Sequence, residues 1–375
     1  MKKIYDIQAE ESKKTRAFLV GLPLAENPGG LAELQGLVWT LGMEIAGQEI
    51  LNRLDIQPAY GMGSGKAHEI RDKAALAEAD CIIMDWELEP TKQRNWEKLC
   101  DIPVFDRQEV IIRIFASRAR TREAVLQVEL ARLEYSLPRL AHMYGDLARQ
   151  RGGNYGAKGA GEKQLELDRR QTRLKIQQLK EELKKVRQNR ATQRKRRQKI
   201  PLPTVALCGY TNAGKSSLLN ALTGSDALVE NKLFATLDPL TRRVKIAGAE
   251  ILLTDTVGFI SNLPHQLIDA FKSTLEEAAQ SDALLLVLDA SDPSAPEQAK
   301  TVLKVLEEVG AGKKERIVVL NKIDAAQALG EAALASLSAL KADFPGALEI
   351  SAKTGAGLDL LKTALRRLAR PKDFC

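Results

Sequence analysis

A phosphate-binding loop is the clearest chemical signal in the sequence. Residues 209–216 read GYTNAGKS and fit the pattern G-x-x-x-x-G-K-[ST], with an apolar run before them and a Leu-rich segment after them. Glycines at both ends of the loop let the backbone wrap round a phosphate chain, so that successive N–H groups point at negative charge. Lys215 would reach the terminal phosphates, and Ser216 would offer its hydroxyl to Mg²⁺. The nucleotide contacts predicted from this loop are Gly209, Tyr210, Thr211, Asn212, Ala213, Gly214, Lys215 and Ser216.

Two later motifs complement this loop. The stretch DTVG at 255–258 supplies a carboxylate for the outer shell of the metal and a glycine N–H for the γ-phosphate. The stretch NKID at 321–324 selects guanine, because the Asp324 carboxylate can accept hydrogen bonds from N1–H and the 2-amino group, whereas adenine has no amine on that edge. The nucleotide contacts predicted from these motifs are Asp255, Thr256, Val257, Gly258, Asn321, Lys322, Ile323 and Asp324.

Two shorter segments complete the set. The stretch SAK at 351–353 supplies a loop that closes over the base, and Thr236 in FATLD stands where a switch threonine would complete the coordination of Mg²⁺. We therefore predict metal ligands at Ser216 and Thr236, and catalytic residues at Lys215, Thr236 and Gly258. The nucleotide contacts predicted from these two segments are Phe234, Ala235, Thr236, Leu237, Asp238, Ser351, Ala352 and Lys353.

The elements that must hold these motifs alternate between strand and helix. From residue 200 to 375 the apolar runs predict strands at 244–246, 251–254, 284–288, 317–320 and 348–350, with helices between them. This order predicts an α/β fold with a mostly parallel sheet covered on both faces, the P-loop GTPase type. Residues 1–107 predict a smaller α/β domain, with strands at 17–20 and 81–84 and a helix at 31–41.

Residues 108–199 predict an antiparallel helical hairpin, or coiled-coil arm, between the two α/β domains. The glycine-rich stretch 152–161 is predicted to be its tip, because so many glycines disfavour a helix, and Pro138 is predicted to kink the first helix. The first heptad seam is predicted at Leu126, Leu130, Leu133, Leu137, Leu140, Tyr144 and Leu147. The second seam is predicted at Thr172, Ile176, Leu179, Leu183 and Val186.

The positive charge of the chain is concentrated in this arm. Residues 149–199 carry 18 Lys and Arg against 5 Asp and Glu, a net of +13, so the total of +7 leaves −6 for the other residues. A basic segment on an otherwise acidic protein is typical of an element that binds a polyanion. A solvated spacer helix or a dimerisation arm is the alternative interpretation. The RNA contacts predicted in the arm are Gly159, Gly161, Arg169, Arg170 and Arg173.

The composition excludes several classes of protein. Hydrophobic residues make up 44% and charged residues 28%, as in ordinary globular domains, and no apolar run is long enough to span a bilayer. The four cysteines stand far apart and without metal-ligand spacing, which is typical of reduced thiols. We therefore expect a monomeric cytoplasmic protein.

The motifs GYTNAGKS, LFATLDP, DTVGF, NKID and SAK, together with GAGEKQLELDRR at 159–170, resemble those of the HflX family of ribosome-associated GTPases. The resemblance implies GTP hydrolysis with Mg²⁺ and binding to the large ribosomal subunit, with the arm directed at ribosomal RNA near the peptidyl-transferase region. It also implies, for some members, the splitting of stalled ribosomes under stress. Asn212 resembles the asparagine that holds K⁺ in potassium-dependent GTPases.

The sequence departs from related patterns at two places. It ends about twenty residues after SAK, so we expect the C-terminal domain of some family members to be absent. Phe259 stands where Ras-like GTPases carry the glutamine that orients water. Two other functions stay open: a GTP-dependent RNA-modification or maturation factor, which would need a cofactor pocket or catalytic cysteine outside the switch domain, and a regulatory GTPase whose arm docks a protein or an anionic membrane.

Overall fold

The computed structural model describes residues 14–22, 30–53, 57–143, 158–197, 202–224, 233–234, 240–246, 248–261, 277–326 and 330–368. The chain packs as two compact units. One comprises Met1–Ser117 and Val128–Glu181, and the other comprises Arg118–Gln127 and Glu182–Cys375. The boundaries at residues 107 and 199 stay predictions. Within the described part of the chain, no helix has the length and apolar character needed to cross a membrane.

The first unit contains a four-stranded parallel sheet in the order β2-β1-β3-β4. The strands are β1 (Arg16–Gly21), β2 (Glu44–Ile50), β3 (Cys81–Met84) and β4 (Val104–Asp106). The helices are α1 (Ala32–Thr40), α2 (Ser64–Leu76), α3 (Pro90–Cys100) and α4 (Arg107–Arg118). The elements predicted at 17–20, 31–41 and 81–84 are confirmed, since β1 and β3 are buried along almost their whole length. The sequence did not predict β2, an edge strand that lacks an apolar run.

Charged groups at the carboxyl ends of these strands bond to one another. Arg107 is almost fully buried and donates hydrogen bonds to Asp85, at 2.7 Å, and to Glu33. Asp106, at the end of β4, is fully buried and forms an ion pair with Arg139 of the arm at 3.0 Å. The charges that this sheet presents at its carboxyl end are therefore used within the unit.

The arm consists of α5 (Arg122–Met143), which contains Pro138, and α6 (Lys158–Arg197). Ion pairs join Glu134 to Lys180 at 2.7 Å and Arg122 to Glu182 at 3.5 Å. The second seam is confirmed at its three central residues, which are the only buried side chains among those described on α6. Ile176, Leu179 and Leu183 are buried, and Thr172 and Val186 are half-buried.

Two predictions about the arm are wrong. Gly159 and Gly161 lie inside α6 and not in a turn, because the many helix-favouring residues after them outweigh the roughly 1 kcal/mol that each glycine costs. Tyr144, Leu147 and residues 152–157 of the predicted tip lie outside the described residues. The buried stripe of α5 also differs from the predicted seam, since Leu126, Leu133, Leu137 and Leu140 are only half-buried. The buried residues are Glu123, Ala124, Gln127, Val128, Leu130, Ala131 and Tyr135.

The physical reason for the different stripe is a polar contact. The Tyr135 hydroxyl donates a hydrogen bond to Asp106 Oδ1 at 3.0 Å, so this part of α5 turns its buried face to the N-terminal sheet as well as to α6. A heptad pattern describes packing between two helices only and does not include a third element.

The second unit contains a six-stranded sheet in the order β10-β9-β8-β5-β7-β6, parallel except for β6, which is antiparallel to β7. The strands are β5 (Thr204–Gly209), β6 (Leu240–Ile246), β7 (Ala249–Asp255), β8 (Ala283–Asp289), β9 (Glu315–Asn321) and β10 (Leu348–Glu349). The helices are α7 (Lys215–Thr223), α8 (Ala295–Glu308), α9 (Ile323–Ala326), α10 (Glu331–Asp343) and α11 (Leu358–Leu368). The predicted α/β fold is confirmed, and the four nucleotide motifs at 209–216, 255–258, 321–324 and 351–353 follow the carboxyl ends of β5, β7, β9 and β10.

Candidate nucleotide-binding site

The backbone of the loop after β5 requires glycine at two positions. Gly209 lies so close to β8 that a Cβ atom there would be 2.2 Å from the Val287 carbonyl oxygen. Gly214 has φ +90°, and a Cβ atom would be 2.2 Å from Asn321 Nδ2. Side chains at either position would therefore displace the neighbouring strand or the NKID motif. The two glycines allow α7 to begin at Lys215 with its N-terminus facing the loop.

Lys215 is a buried cation next to the loop. Its side chain is 6% exposed, and Nζ donates hydrogen bonds to the carbonyl oxygens of Gly209 at 3.0 Å and Tyr210 at 2.8 Å. Burial lowers the pKa of Lys215 to about 8, against the opposing effect of the Asp255 carboxylate. An anion brought to this loop would supply the charge compensation that the buried ammonium lacks.

Ser216, at the start of α7, and Asp255, at the end of β7, form a pair of oxygen ligands for a metal ion. The Ser216 hydroxyl donates a hydrogen bond to Asp255 Oδ2 at 2.7 Å. Mg²⁺ prefers oxygen ligands and is held in nucleotide sites by one or two protein oxygens together with phosphates and water. The donor set therefore fits Mg²⁺. The second predicted ligand, Thr236, belongs to residues 235–239, which lie outside the described residues.

The DTVG segment lies directly on the phosphate loop. The Thr211 N–H donates to the Phe259 carbonyl oxygen at 2.7 Å, and the Phe259 N–H donates to the Gly209 carbonyl oxygen at 3.2 Å. The Tyr210 hydroxyl accepts a hydrogen bond from the Ser261 N–H at 2.6 Å and also bonds to Ser261 Oγ at 2.6 Å. These contacts bring residues 209–211 and 258–261 together. The bond between Tyr210 and Ser261 was not predicted, because the loop motif leaves the second position unspecified.

Asn321 connects three of the predicted segments. Its Nδ2 donates to the Ala213 carbonyl oxygen at 2.9 Å, and its Oδ1 accepts from the Ala352 N–H at 2.9 Å. Lys322 has a left-handed backbone with φ +63° and forms an ion pair with Asp289 at 2.6 Å. The site thus brings the phosphate loop, NKID and SAK together, and it adds Asp289, which the sequence analysis missed.

Asp324 carries an oxygen that the described part of the protein leaves for a ligand. Its Oδ1 atom is buried and has no hydrogen-bond partner among the described residues. A buried carboxylate oxygen without a donor is costly, so a ligand with N–H groups would bind favourably there. Guanine has two such donors on one edge, whereas adenine has no amine there. The geometry therefore fits guanine.

The positions of several further predicted residues are as follows. Ser351 is fully buried in the loop after β10, and Phe234 is buried with φ +55°. Ala235, Leu237 and Asp238 lie, like Thr236, outside the described residues. On α6, Arg170 and Arg173 are exposed, while Arg169 is half-exposed.

Comparisons with known families divide the chain into three matched parts. Residues 29–116 match the N-terminal region of a GTP-binding GTPase family, and residues 118–197 match its middle region. Residues 204–322 match a family described as 50S ribosome-binding GTPase. The third match contains the phosphate loop, DTVG and the first two residues of NKID.

Individual relatives extend this similarity over nearly the whole chain. GTPase HflX of Akkermansia muciniphila is 47% identical over 97% of this chain and 86% of its own length. GTPase HflX of Escherichia coli is 42% identical over 89% of this chain and 78% of its own length. Among solved structures, a Sulfolobus solfataricus GTP-binding protein in complex with GDP covers 95% of this chain and 99% of its own, with 26% identity and a TM-score of 0.50. The chain belongs to the HflX family of GTPases, which bind GTP and hydrolyse it to GDP and phosphate.

Proposed function

We propose that this GTPase acts on the large ribosomal subunit and binds its RNA through the basic residues of α6. The observation that carries the proposal is the exposure of these side chains. Arg170, Arg173, Lys175, Lys184 and Lys185 are all exposed on one helix. Exposed Lys and Arg gain affinity by displacing counterions from phosphates. Gly159 and Gly161 stand in the first turn of the same helix, where the absence of side chains would allow a close approach to RNA.

At the nucleotide site we propose a distinct task for each residue. Lys215 neutralises the terminal phosphates, Gly258 donates its N–H to the γ-phosphate, and Asp324 accepts from guanine. Ser216 and Thr236 would hold Mg²⁺, with Asp255 in the outer shell. When bound, this ion neutralises charge that develops on the phosphate oxygens.

The proposed link between the two sites is a gap in the catalytic machinery. Phe259 is 2% exposed, and its side chain has no polar atom with which to orient water. Positioning and electrostatic stabilisation supply most of the catalysis in phosphoryl transfer. A partner that orders the segment after Gly258 would therefore accelerate hydrolysis. The large subunit is the partner that the basic helix favours.

A monovalent cation is a further part of the proposal. Asn212 is exposed at the phosphate loop and has a left-handed backbone with φ +60°. Its side-chain oxygen is available to a K⁺ ion next to bound phosphates. We expect faster hydrolysis in potassium than in sodium at equal ionic strength, and Asn212→Ala should remove the difference. Equal hydrolysis rates in potassium and sodium would contradict the proposed cation site.

Co-sedimentation with large ribosomal subunits tests the proposed function. Replacing Arg170 and Arg173 by Ala should weaken binding and lower the log–log salt slope by about two, nearly one for each lost phosphate contact. The matched control replaces Arg366 and Arg367, which are exposed on α11, and should change neither quantity. Salt-independent binding would favour a protein partner, and binding to anionic vesicles but not to subunits would favour a membrane.

A further inference from the structure

The side chain of Thr211 is the feature of the phosphate loop that the motif does not explain. The pattern G-x-x-x-x-G-K-[ST] leaves this position unspecified, so the loop itself needs only the backbone there. Thr211 is nevertheless 7% exposed, and its Oγ1 atom is buried without a hydrogen-bond partner among the residues that the structure describes. A buried hydroxyl without a partner is unfavourable, and valine would fill the same volume without that cost. The hydroxyl therefore calls for a partner that arrives with the nucleotide.

The surroundings of Thr211 indicate where that partner would lie. A Cβ atom on Gly258 would be 2.8 Å from both Thr211 Cα and Thr211 Cγ2, and 3.1 Å from Lys215 Nζ. Thr211, Gly258 and Lys215 are therefore immediate neighbours. Lys215 and Gly258 are the residues that contact the terminal phosphate in GTPases of this type. Thr211, whose hydroxyl has no hydrogen-bond partner in the described part of the chain, approaches both of them through its Cα and Cγ2 atoms.

We infer that the Thr211 hydroxyl hydrogen-bonds at the γ-phosphate end of bound GTP and positions the attacking water. The inference rests on the phosphate-site assignment under the proposed function and is independent of ribosome binding. In the reaction, the water oxygen forms a bond to the γ-phosphorus as the bond to the β–γ bridging oxygen breaks. GDP leaves with that electron pair, and the water gives up a proton to the phosphate product. A hydroxyl that both accepts and donates can hold the water while this bond forms.

The position of Phe259 supports this role. The Thr211 N–H holds the Phe259 carbonyl oxygen at 2.7 Å, so the loop residue and the residue in the glutamine position are fixed together. Phe259 brings no polar side-chain atom to this place. Thr211, in contrast, carries one buried side-chain oxygen. A side-chain oxygen is thus present on the phosphate loop, while ordering of the segment after Gly258 stays a separate requirement for fast hydrolysis.

Single-turnover GTP hydrolysis by the isolated full-length protein tests the inference with two substitutions. Thr211→Val keeps the shape and removes the hydroxyl, and it should slow phosphate release by roughly 10- to 100-fold, as expected when one hydrogen bond to the transition state is lost. Thr211→Ser keeps the hydroxyl and should restore most of the rate. Fluorescent GDP should bind both variants as tightly as the unsubstituted protein, since the missing contact belongs to the γ-phosphate end.

Three controls separate this role from a structural one. Thr223→Val makes the same chemical change at the end of α7, where the hydroxyl bonds to carbonyl oxygens of its own helix, and should leave the rate unchanged. Thr211→Ala, compared with Thr211→Ser, repeats the test should the valine variant fail to fold. Lys215→Ala reports on the phosphate site itself. If the Lys215→Ala variant hydrolyses GTP at the native rate, the assignment of the phosphate site is wrong. If Lys215→Ala is slow but Thr211→Val hydrolyses GTP at the native rate, only this inference is overturned. Thr211→Ser as slow as Thr211→Val would also overturn it.

Discussion

The two sheets of this protein differ in the hydrogen-bond partners of the buried oxygens at their carboxyl ends. In the N-terminal sheet, Arg107 donates to Asp85 and Glu33, so the charges are used within the chain. In the nucleotide-binding sheet, Thr211 and Asp324 each keep a buried oxygen that has no hydrogen-bond partner among the described residues. Similar architecture therefore does not imply similar function.

The difference teaches how to distinguish a structural charge from a functional one. Asp106 accepts hydrogen bonds from two backbone N–H groups and from Tyr135, besides its ion pair with Arg139. A carboxylate with so many donors stabilises the fold and has little left to offer a ligand. Asp324 has a buried oxygen that accepts no hydrogen bond within the described part of the chain. We therefore expect substitutions in the first sheet to change stability and those in the second to change nucleotide chemistry.

The largest expected effect is on hydrolysis. Lys215→Ala should slow it by about 10³-fold or more, because the ammonium compensates phosphate charge in the transition state. Ser216→Ala should have a similar effect by removing the hydroxyl proposed to hold Mg²⁺. Phosphate release under single-turnover conditions measures both. A variant that retains more than a tenth of the native rate would break the assignment of this sheet as the functional one.

The next effect is on stability. Arg107→Met should cost about 3–5 kcal/mol of unfolding free energy, since it leaves the buried Asp85 carboxylate without its ion-pair partner. All three tryptophans, Trp39, Trp86 and Trp96, belong to the N-terminal unit, so urea unfolding followed by tryptophan fluorescence reports on this unit alone.

The affinity of the Arg107→Met variant for fluorescent GDP at low urea provides the control. It should equal that of the unsubstituted protein, because the nucleotide residues belong to the other unit. A variant with normal stability but weakened GDP binding would reverse the comparison between the two sheets.

The third effect in size is on the selection of the base. Asp324→Asn replaces an acceptor by an amide, and the mismatch with guanine should weaken GTP binding by about 1–3 kcal/mol. Xanthine nucleotide, which has a carbonyl where guanine has the amine, should gain affinity. Competition of both nucleotides against fluorescent GDP measures the exchange. Equal affinity of the unsubstituted protein for ATP and GTP would show that Asp324 does not read the base.

The smallest expected effect is on the pH dependence of nucleotide binding. Burial lowers the pKa of Lys215 to about 8, so above pH 8 the free protein carries mostly a neutral amine. Bound phosphates favour the charged form, so binding above pH 8 must take up a proton. Affinity for GDP should therefore be nearly constant below pH 8 and fall by up to about tenfold between pH 8 and 9. Lys215→Ala should lose this dependence, and a flat profile in the unsubstituted protein would contradict the proposed charge state.

The sequence predicted those features that depend on local pattern. The strand ALLLVLD at 283–289 is recognisable from its apolar run, and each nucleotide motif follows directly on a strand, so strand order alone brings the motifs to one edge. Glycines 209 and 214 are explained by the loop motif, although their closest neighbours, Val287 and Asn321, become known only from the fold.

The features that the sequence did not predict depend on contacts between distant residues. The buried face of α5 follows from the bond between Tyr135 and Asp106, which are 29 positions apart. The bond between Tyr210 and Ser261 spans 51 positions and involves no recognisable motif. That Thr211 Oγ1 has no hydrogen-bond partner among the described residues becomes apparent only from the fold.

The most direct test of the central claim is single-turnover GTP hydrolysis with and without purified large ribosomal subunits. We predict slow hydrolysis by the isolated protein, because Phe259 cannot orient water, and an increase with subunits that can reach about 10³-fold. Phe259→Gln alone should not reproduce this increase, and replacing Arg170 and Arg173 by Ala should reduce it. Fast hydrolysis by the isolated protein that subunits leave unchanged would contradict the account.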